Sequence, residues 1–187
     1  MSKKEALIDA TKQLLWEKGY EATSPRDIQA LSATGQGSFY HHFDGKKDLA
    51  IAALEEISRE MLDIMRDNLA AKGPAQQRLE SYLCKPRESL KGCRVGRLAN
   101  EISMQDPQLG QPMRAYFEEL TELLKHAIRE AQEDGSLPAH LDAGDLATTL
   151  LAVVQGGFVL SRAQDRTDIH QSIARSMINL LFGGEAR

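Results

Sequence analysis

The sequence predicts an all-α protein, with a small N-terminal helix-turn-helix head on a larger helical body. Three observations predict it. Strong helix formers (Ala, Leu, Glu, Gln, Lys, Arg) dominate the 187 residues, while aromatic residues make up only 5% and β-branched runs are short. Apolar residues recur at helical spacing between most turn signals. Between Thr23 and Phe43, two short helices flank a tight turn.

In chain order, the first helix covers residues 4–18, with Ala6, Leu7, Ala10, Leu14 and Leu15 on one face and Gly19 at the position of a left-handed cap. Ser24-Pro25 opens a second helix that ends near residue 31: Ser caps it, and Pro occupies the first turn, where its missing N–H costs nothing. Residues 32–35 make the turn, and the third helix covers 36–42. Asp44-Gly45 ends it, and a fourth helix runs over 46–71 with a broad apolar stripe. Gly73-Pro74 starts a new segment. The expected division is a head of residues 1–50 and a body of 51–187.

In the body, a helix over 75–90 is expected to kink at Pro86. A short helix follows over 94–103. A strong helical pattern covers 113–133, after a turn at Asp106-Pro107. The last two helices are expected at 143–162 and 167–182, and the first of them is apolar nearly all round. Such a helix has to be covered on nearly all sides. A second copy of the chain is a natural cover, with Leu150, Val154 and Ile178 as buried contacts and Gly157 allowing close approach.

Charge and composition narrow the function. The net charge is −4, but residues 1–50 carry seven basic and seven acidic side chains, so the acidity belongs to the body. A neutral head lacks a strong basic patch, and non-specific attraction to phosphate should be modest. No uninterrupted apolar run reaches the ~18 residues of a membrane span, and the N-terminus lacks the apolar core of a secretion signal. Two cysteines, Cys84 and Cys93, are too few for a disulfide scaffold and fit a reducing compartment. The expected location is cytoplasmic, with no membrane partner. No Ser/His/Asp order, phosphate loop or metal-ligand cluster appears, so neither enzymatic activity nor a cofactor or metal is expected.

The third helix, Gln36-Gly37-Ser38-Phe39-Tyr40-His41-His42, is dense in amide, hydroxyl and imidazole groups. Such groups reach base edges and phosphates in the major groove of DNA. Two other groups have open readings. Met61, Met65, Met104 and Met113, with Phe117 and Phe158, either line a ligand cavity or fill the core. Cys93, beside Arg94 at the start of a short helix, is either a reactive thiol or an inert one.

Over residues 5–55 the chain resembles the TetR/AcrR family of bacterial transcriptional regulators. The resemblance rests on the helix-turn-helix, on Gly37-Ser38-Phe39-Tyr40-His41-His42-Phe43, and on Lys46-Lys47-Asp48-Leu49 opening the fourth helix. It implies a homodimer that binds an inverted-repeat operator in double-stranded DNA, and most often a repressor released by a small-molecule effector. It also leaves room for an architectural protein without inducer, or for a repressor that senses oxidants or electrophiles through Cys93. Carried over residue by residue, it implies DNA contacts from Arg26, Gln36, Ser38, Tyr40, His41 and His42, and a phosphate contact from Lys46. The chain departs from the common pattern at Ala33 and Gly35 in the turn, and at Gln36, where Lys or Arg is frequent.

Overall fold

The computed structural model describes residues 2–183, and all its regular elements are helical. They are α1 (Lys3–Lys18), α2 (Pro25–Ser32), α3 (Gln36–His42), α4 (Lys46–Leu69), α5 (Ala75–Cys84), two 3₁₀ turns (Gly96–Asn100 and Ile102–Gln105), α6 (Gln111–Glu133), α7 (Ala143–Gln164) and α8 (Ile169–Phe182).

The expected helix over 75–90 stops at Cys84. Lys85 takes an extended ψ of 129° because the ring of Pro86 excludes the helical region for its predecessor. Pro86 therefore ends the helix instead of kinking it. The short helix expected over 94–103 is replaced by the two 3₁₀ turns. Their i→i+3 bonds, such as Glu101 N–H to Leu98 O at 2.9 Å, leave Leu98 and Met104 both buried in one cluster.

The chain divides into two compact units. One joins the residues up to Glu60 with Cys93–Tyr116, and the other joins Met61–Gly92 with the residues from Phe117 onward. The first unit is larger than the head expected from sequence, because a segment far along the chain folds into it.

In the first unit, α1, α2 and α3 close on Leu7, Ala10, Leu14, Ile28, Phe39, Phe43 and Leu49. Phe39 and Ile28 are fully enclosed, each worth roughly 1.5–3 kcal/mol of burial. A second cluster joins Leu15, Ala50, Ala53 and Leu54 to Leu98, Met104 and Leu109 from the returning segment. Polar contacts fix the same junction. The Glu101 carboxylate accepts from the Tyr20 and Glu21 amides at 3.1 and 2.8 Å, and Glu21 in turn accepts from the Ser103 amide at 2.9 Å. Gly19, at φ +87°, sits where any Cβ would collide with the Glu101 carboxylate.

In the second unit, α8 packs against α5 and α7. Leu150 is fully buried, Val154 is 5% exposed, and Gly157 is buried. A Cβ on Gly157 would lie 2.8 Å from His170 Nε2 and 3.1 Å from Ile173 Cδ1 of α8. These three residues are therefore packed within their own chain, which the expectation of an intersubunit contact did not include. Ile178 is half-buried, one turn beyond the buried Ala174 on α8.

The opposite face of α7 is the uncovered one. Ala152 and Val159 are exposed there with Leu160, and a Cβ added at Gly156 would meet nothing within 4 Å. On α8, Leu180 is 78% exposed. By length and composition alone α7 could cross a membrane, with a mean hydropathy of 1.5 over 18 residues. The scattered Gly, Ser, Thr and Gln residues hide this from a search for unbroken apolar runs.

Candidate DNA interface

The head builds a short helix on a rigid plug. Ser24 caps α2 and accepts from the Asp27 amide, while the Asp27 carboxylate accepts from the Ser24 amide and from Lys18 Nζ, both at 2.8 Å. Lys18 and the Ser24 groups hold the Asp27 carboxyl well below its usual range. α2 ends at Ala33, which takes a left-handed φ of +52°. The chain then turns into α3, whose N-cap Gly35 offers no side-chain bond.

In α3, Phe39 is buried and Phe43 just beyond it is 5% exposed, so one side of the helix is locked into the core. The other rows face outward. Gln36 and Tyr40 stand one turn apart, both exposed, with Tyr40 at 55% and its ring edge-on to Phe39. Gly37 and His41 form the next exposed row, while Ser38 and His42 are half-buried beside it. The two histidine rings meet edge to face, 4.8 Å apart. Arg26 is exposed on α2. The structure thus brings Gln36, Tyr40 and His41 onto one accessible surface, with Ser38 and His42 at its margin.

Gly37 has no side chain to offer this surface, and its surroundings are informative. A Cβ there would meet nothing within 4 Å. Glycine inside a helix costs roughly 1 kcal/mol against alanine. Nothing in the chain's own packing requires that cost, and Gly37 leaves open space at the exposed surface.

Lys46 departs from expectation. Its ammonium donates to the carbonyl oxygens of Tyr20 and Thr23, both at 3.0 Å, and lies 4.0 Å from the Tyr20 ring centre. Burial pushes its pKa down. In this conformation Lys46 ties the α1–α2 connection to the start of α4 and is not presented to phosphate. The neighbouring Lys47 pairs with Asp106 at 2.8 Å. The signal for this was two successive lysines at a helix start, which the sequence cannot apportion between carbonyl, carboxylate and phosphate.

The expected ligand lining is divided between the two units. Met104 is buried in the first unit's second cluster, and Met113 packs against that cluster. Met65 is buried in the second unit, where Met61, Phe117 and Phe158 are half-buried. None of the six lines any of three cavities of about 600, 430 and 380 Å³. Phe158 instead meets the buried His170 edge-on at 4.5 Å. Cys93 does not fit the reactive reading: it is 5% exposed, its Sγ accepts from the Gly96 amide at 3.3 Å, and Arg94 is paired with Glu60 at 2.9 Å. The exposed thiol is Cys84.

Known proteins match this arrangement along most of the chain. Residues 7–53 match the family described as bacterial regulatory proteins, tetR family, and residues 76–177 match the tetracyclin repressor-like C-terminal domain. An HTH-type transcriptional regulator in the lacX 3' region of Lactococcus lactis subsp. lactis is 27% identical over 185 residues, covering 90% of this chain and 88% of that protein. The HTH-type transcriptional repressor DhaR of Mycobacterium sp. (strain GP1) is 28% identical over 159 residues, covering 83% and 80%. Among solved structures, reduced NemR of E. coli has the same fold with a TM-score of 0.88 at 19% identity, covering all of both chains. A regulatory protein TetR from Rhodobacter sphaeroides gives 0.84 at 24% identity, covering 95% of this chain and 97% of that one. With a head that exposes a short polar helix and a helical body matched over 76–177, the chain belongs to the tetR family of bacterial regulatory proteins.

Proposed function

We propose that this protein is a cytoplasmic transcriptional repressor that binds an inverted-repeat operator as a homodimer and leaves it when a small-molecule effector occupies the body. The observation that carries the DNA-binding half is the outward surface of α3. Gln36, Tyr40 and His41 stand exposed beside a glycine that has no partner in the fold. Gln36 is assigned to an adenine edge, which its amide can bond with both atoms. Tyr40, Ser38, His41, His42 and Arg26 are assigned to phosphates and flanking base edges, where positioning outweighs readout.

Dimerisation is assigned to the uncovered face of α7, through Val159, Leu160 and the open Gly156, together with Leu180 of α8. Exposed apolar residues clustered along a helix pair mark a protein contact. Body cavities of 430 and 380 Å³ fall within the usual size of small-molecule sites. An effector acts only by binding the DNA-free state more tightly than the DNA-bound one.

Selection of duplexes from a randomised pool tests the reading. It should return an inverted repeat with two half-sites on one face of the helix. Recovery of a single unpaired half-site, bound at full affinity by a monomer, would overturn it.

A further inference from the structure

We propose that the 430 Å³ cavity between the end of α5 and α8 is a site for a small organic carboxylate. It rests on the reading of the body as effector-binding and names the chemistry of the effector. The wall is formed by residues 83–87 and Ser89 from the end of α5 and the turn after it, and by Thr167, His170, Gln171, Ala174 and Arg175. Three of its members are cationic, Lys85, Arg87 and Arg175, and none of its described members is acidic. This stands out because residues 51–187 carry the whole excess of negative charge.

The cations divide by role. Arg87 donates to the carbonyl oxygens of Tyr82, Leu83 and Lys85 at 2.7–3.0 Å and so holds the turn after α5 in shape. The Lys85 ammonium makes no hydrogen bond or ion pair among the described residues, and the Arg175 guanidinium donates only to Ser172 Oγ, at 3.2 Å. The nearby carboxylate of Asp168 accepts from Arg166, at 3.0 and 2.6 Å, and also feels the charge of Arg175 without a hydrogen bond to it. At the back of the cavity His170 is buried. Its Nε2 donates to Val154 O at 3.3 Å, and its Nδ1 lies 2.9 Å from Ser89 Oγ, a hydroxyl that can donate or accept. Burial, with the charge of Arg87, pushes the His170 pKa down and favours the neutral ring.

Leu83, Pro86 and Ala174 supply an apolar floor. One lysine and one arginine above such a floor match a single anionic group on a short apolar body better than a polyphosphate. The wall lies on the Gln171–Arg175 side of α8, away from Leu180, so the dimer face proposed above leaves it open.

The protein carries its own reporter, since Cys84 is exposed in the wall while Cys93 is buried. Iodoacetate and its neutral isostere iodoacetamide both alkylate a thiolate with loss of iodide. Their rate ratio at Cys84, divided by the ratio at free N-acetylcysteine, reads the local concentration of anions. At low ionic strength it should be about three- to tenfold. It should fall toward one in about 0.5 M salt and in the Lys85→Gln/Arg175→Gln double variant. Benzoate should slow labelling of Cys84 by iodoacetamide, and benzamide should not. Gln171→Glu, a single exposed change, should cancel both effects and serves if the double variant does not fold.

A normalised ratio of one in the wild type, a ratio indifferent to these substitutions, or equal protection by benzoate and benzamide would overturn the proposal. No DNA is present in the assay. Loss of the carboxylate site therefore leaves the repressor reading intact, and failure of operator binding leaves the labelling result intact.

Discussion

The outer surface of α3 and the outer surface of α7 have one thing in common and differ in everything else. Each carries a glycine that its own chain does not pack: Gly37 on α3 and Gly156 on α7. Around Gly37 the exposed groups are an amide, a phenol and an imidazole, from Gln36, Tyr40 and His41. Around Gly156 they are the aliphatic Val159 and Leu160, at 64% and 45% exposure. The first surface can satisfy hydrogen bonds on a polyanion, whereas the second gains only by leaving water. The uncovered residues therefore indicate two different covers, duplex DNA and another copy of the chain.

The largest effect is expected on α7. Gly156→Leu places a bulky side chain on the open face, where it should block the seam without disturbing the subunit core. Loss of the dimer removes the avidity of two linked heads, so operator affinity should drop by about 10²- to 10⁴-fold. Light scattering and fluorescence anisotropy on a palindromic duplex would measure it. A variant that stays dimeric and binds normally would move the interface elsewhere.

One residue on, the same substitution should act differently. Gly157→Leu drives a side chain into His170 and Ile173 of α8. Overpacking of this kind costs about 1–3 kcal/mol or more, read as a lower Tm. If Gly156→Leu destabilises the subunit as much as Gly157→Leu does, the two faces of α7 are not distinct.

This pair also shows what the sequence could and could not reveal. The first three helices were legible nearly to the residue, because caps and a proline at the first helical position are local signals. α7 was legible as an apolar helix, but that Leu150, Val154 and Gly157 pack within their own chain was not. A helix apolar all round has no periodicity from which to choose a face. Glu101 was missed for a related reason: its partners, the amides of Tyr20 and Glu21, lie some 80 residues away along the chain. The carbonyl contacts of Lys46 with Tyr20 and Thr23 were not legible either, because a carbonyl cradle leaves no mark in sequence.

On α3, Gln36→Ala should cost about 1–3 kcal/mol on the cognate operator and little on random DNA, the size of one bidentate base contact. Equal losses on both would remove Gln36 from readout. Gly37→Ala sharpens the comparison, because it should add up to about 1 kcal/mol of helix stability, read as a higher Tm, while weakening the operator complex. A variant that gains stability and keeps full affinity would mean that DNA does not approach Gly37.

A smaller effect should appear in the pH dependence of stability. Burial, with the charge of Arg87, pushes the His170 pKa below 6.5. The unfolded chain then binds the extra proton first, so this contribution is complete above pH 6.5 and is lost as pH falls through the folded value. Tm should decline between pH 7 and 5 in the wild type, and His170→Asn should flatten that slope. A parallel decline in the variant would assign it to other groups.

The smallest expected change lies in the helix-turn-helix itself. Ala33 ends α2 in the left-handed region at φ +52°, where an L side chain is strained and glycine is not. Ala33 is exposed, so a lost methyl leaves no cavity. Its amide still reaches the carbonyls of Ala30 and Gln29, which glycine preserves. Ala33→Gly should relieve the strain, offset in part by the greater freedom of glycine in the unfolded chain, for a net gain of about 0.5–1 kcal/mol. Chemical denaturation would show a higher midpoint at unchanged slope, with operator affinity unaltered because α3 keeps its plug. A fall in stability would mean that the turn is held by something other than the conformation of residue 33, and that its departure from glycine is not a tolerated strain.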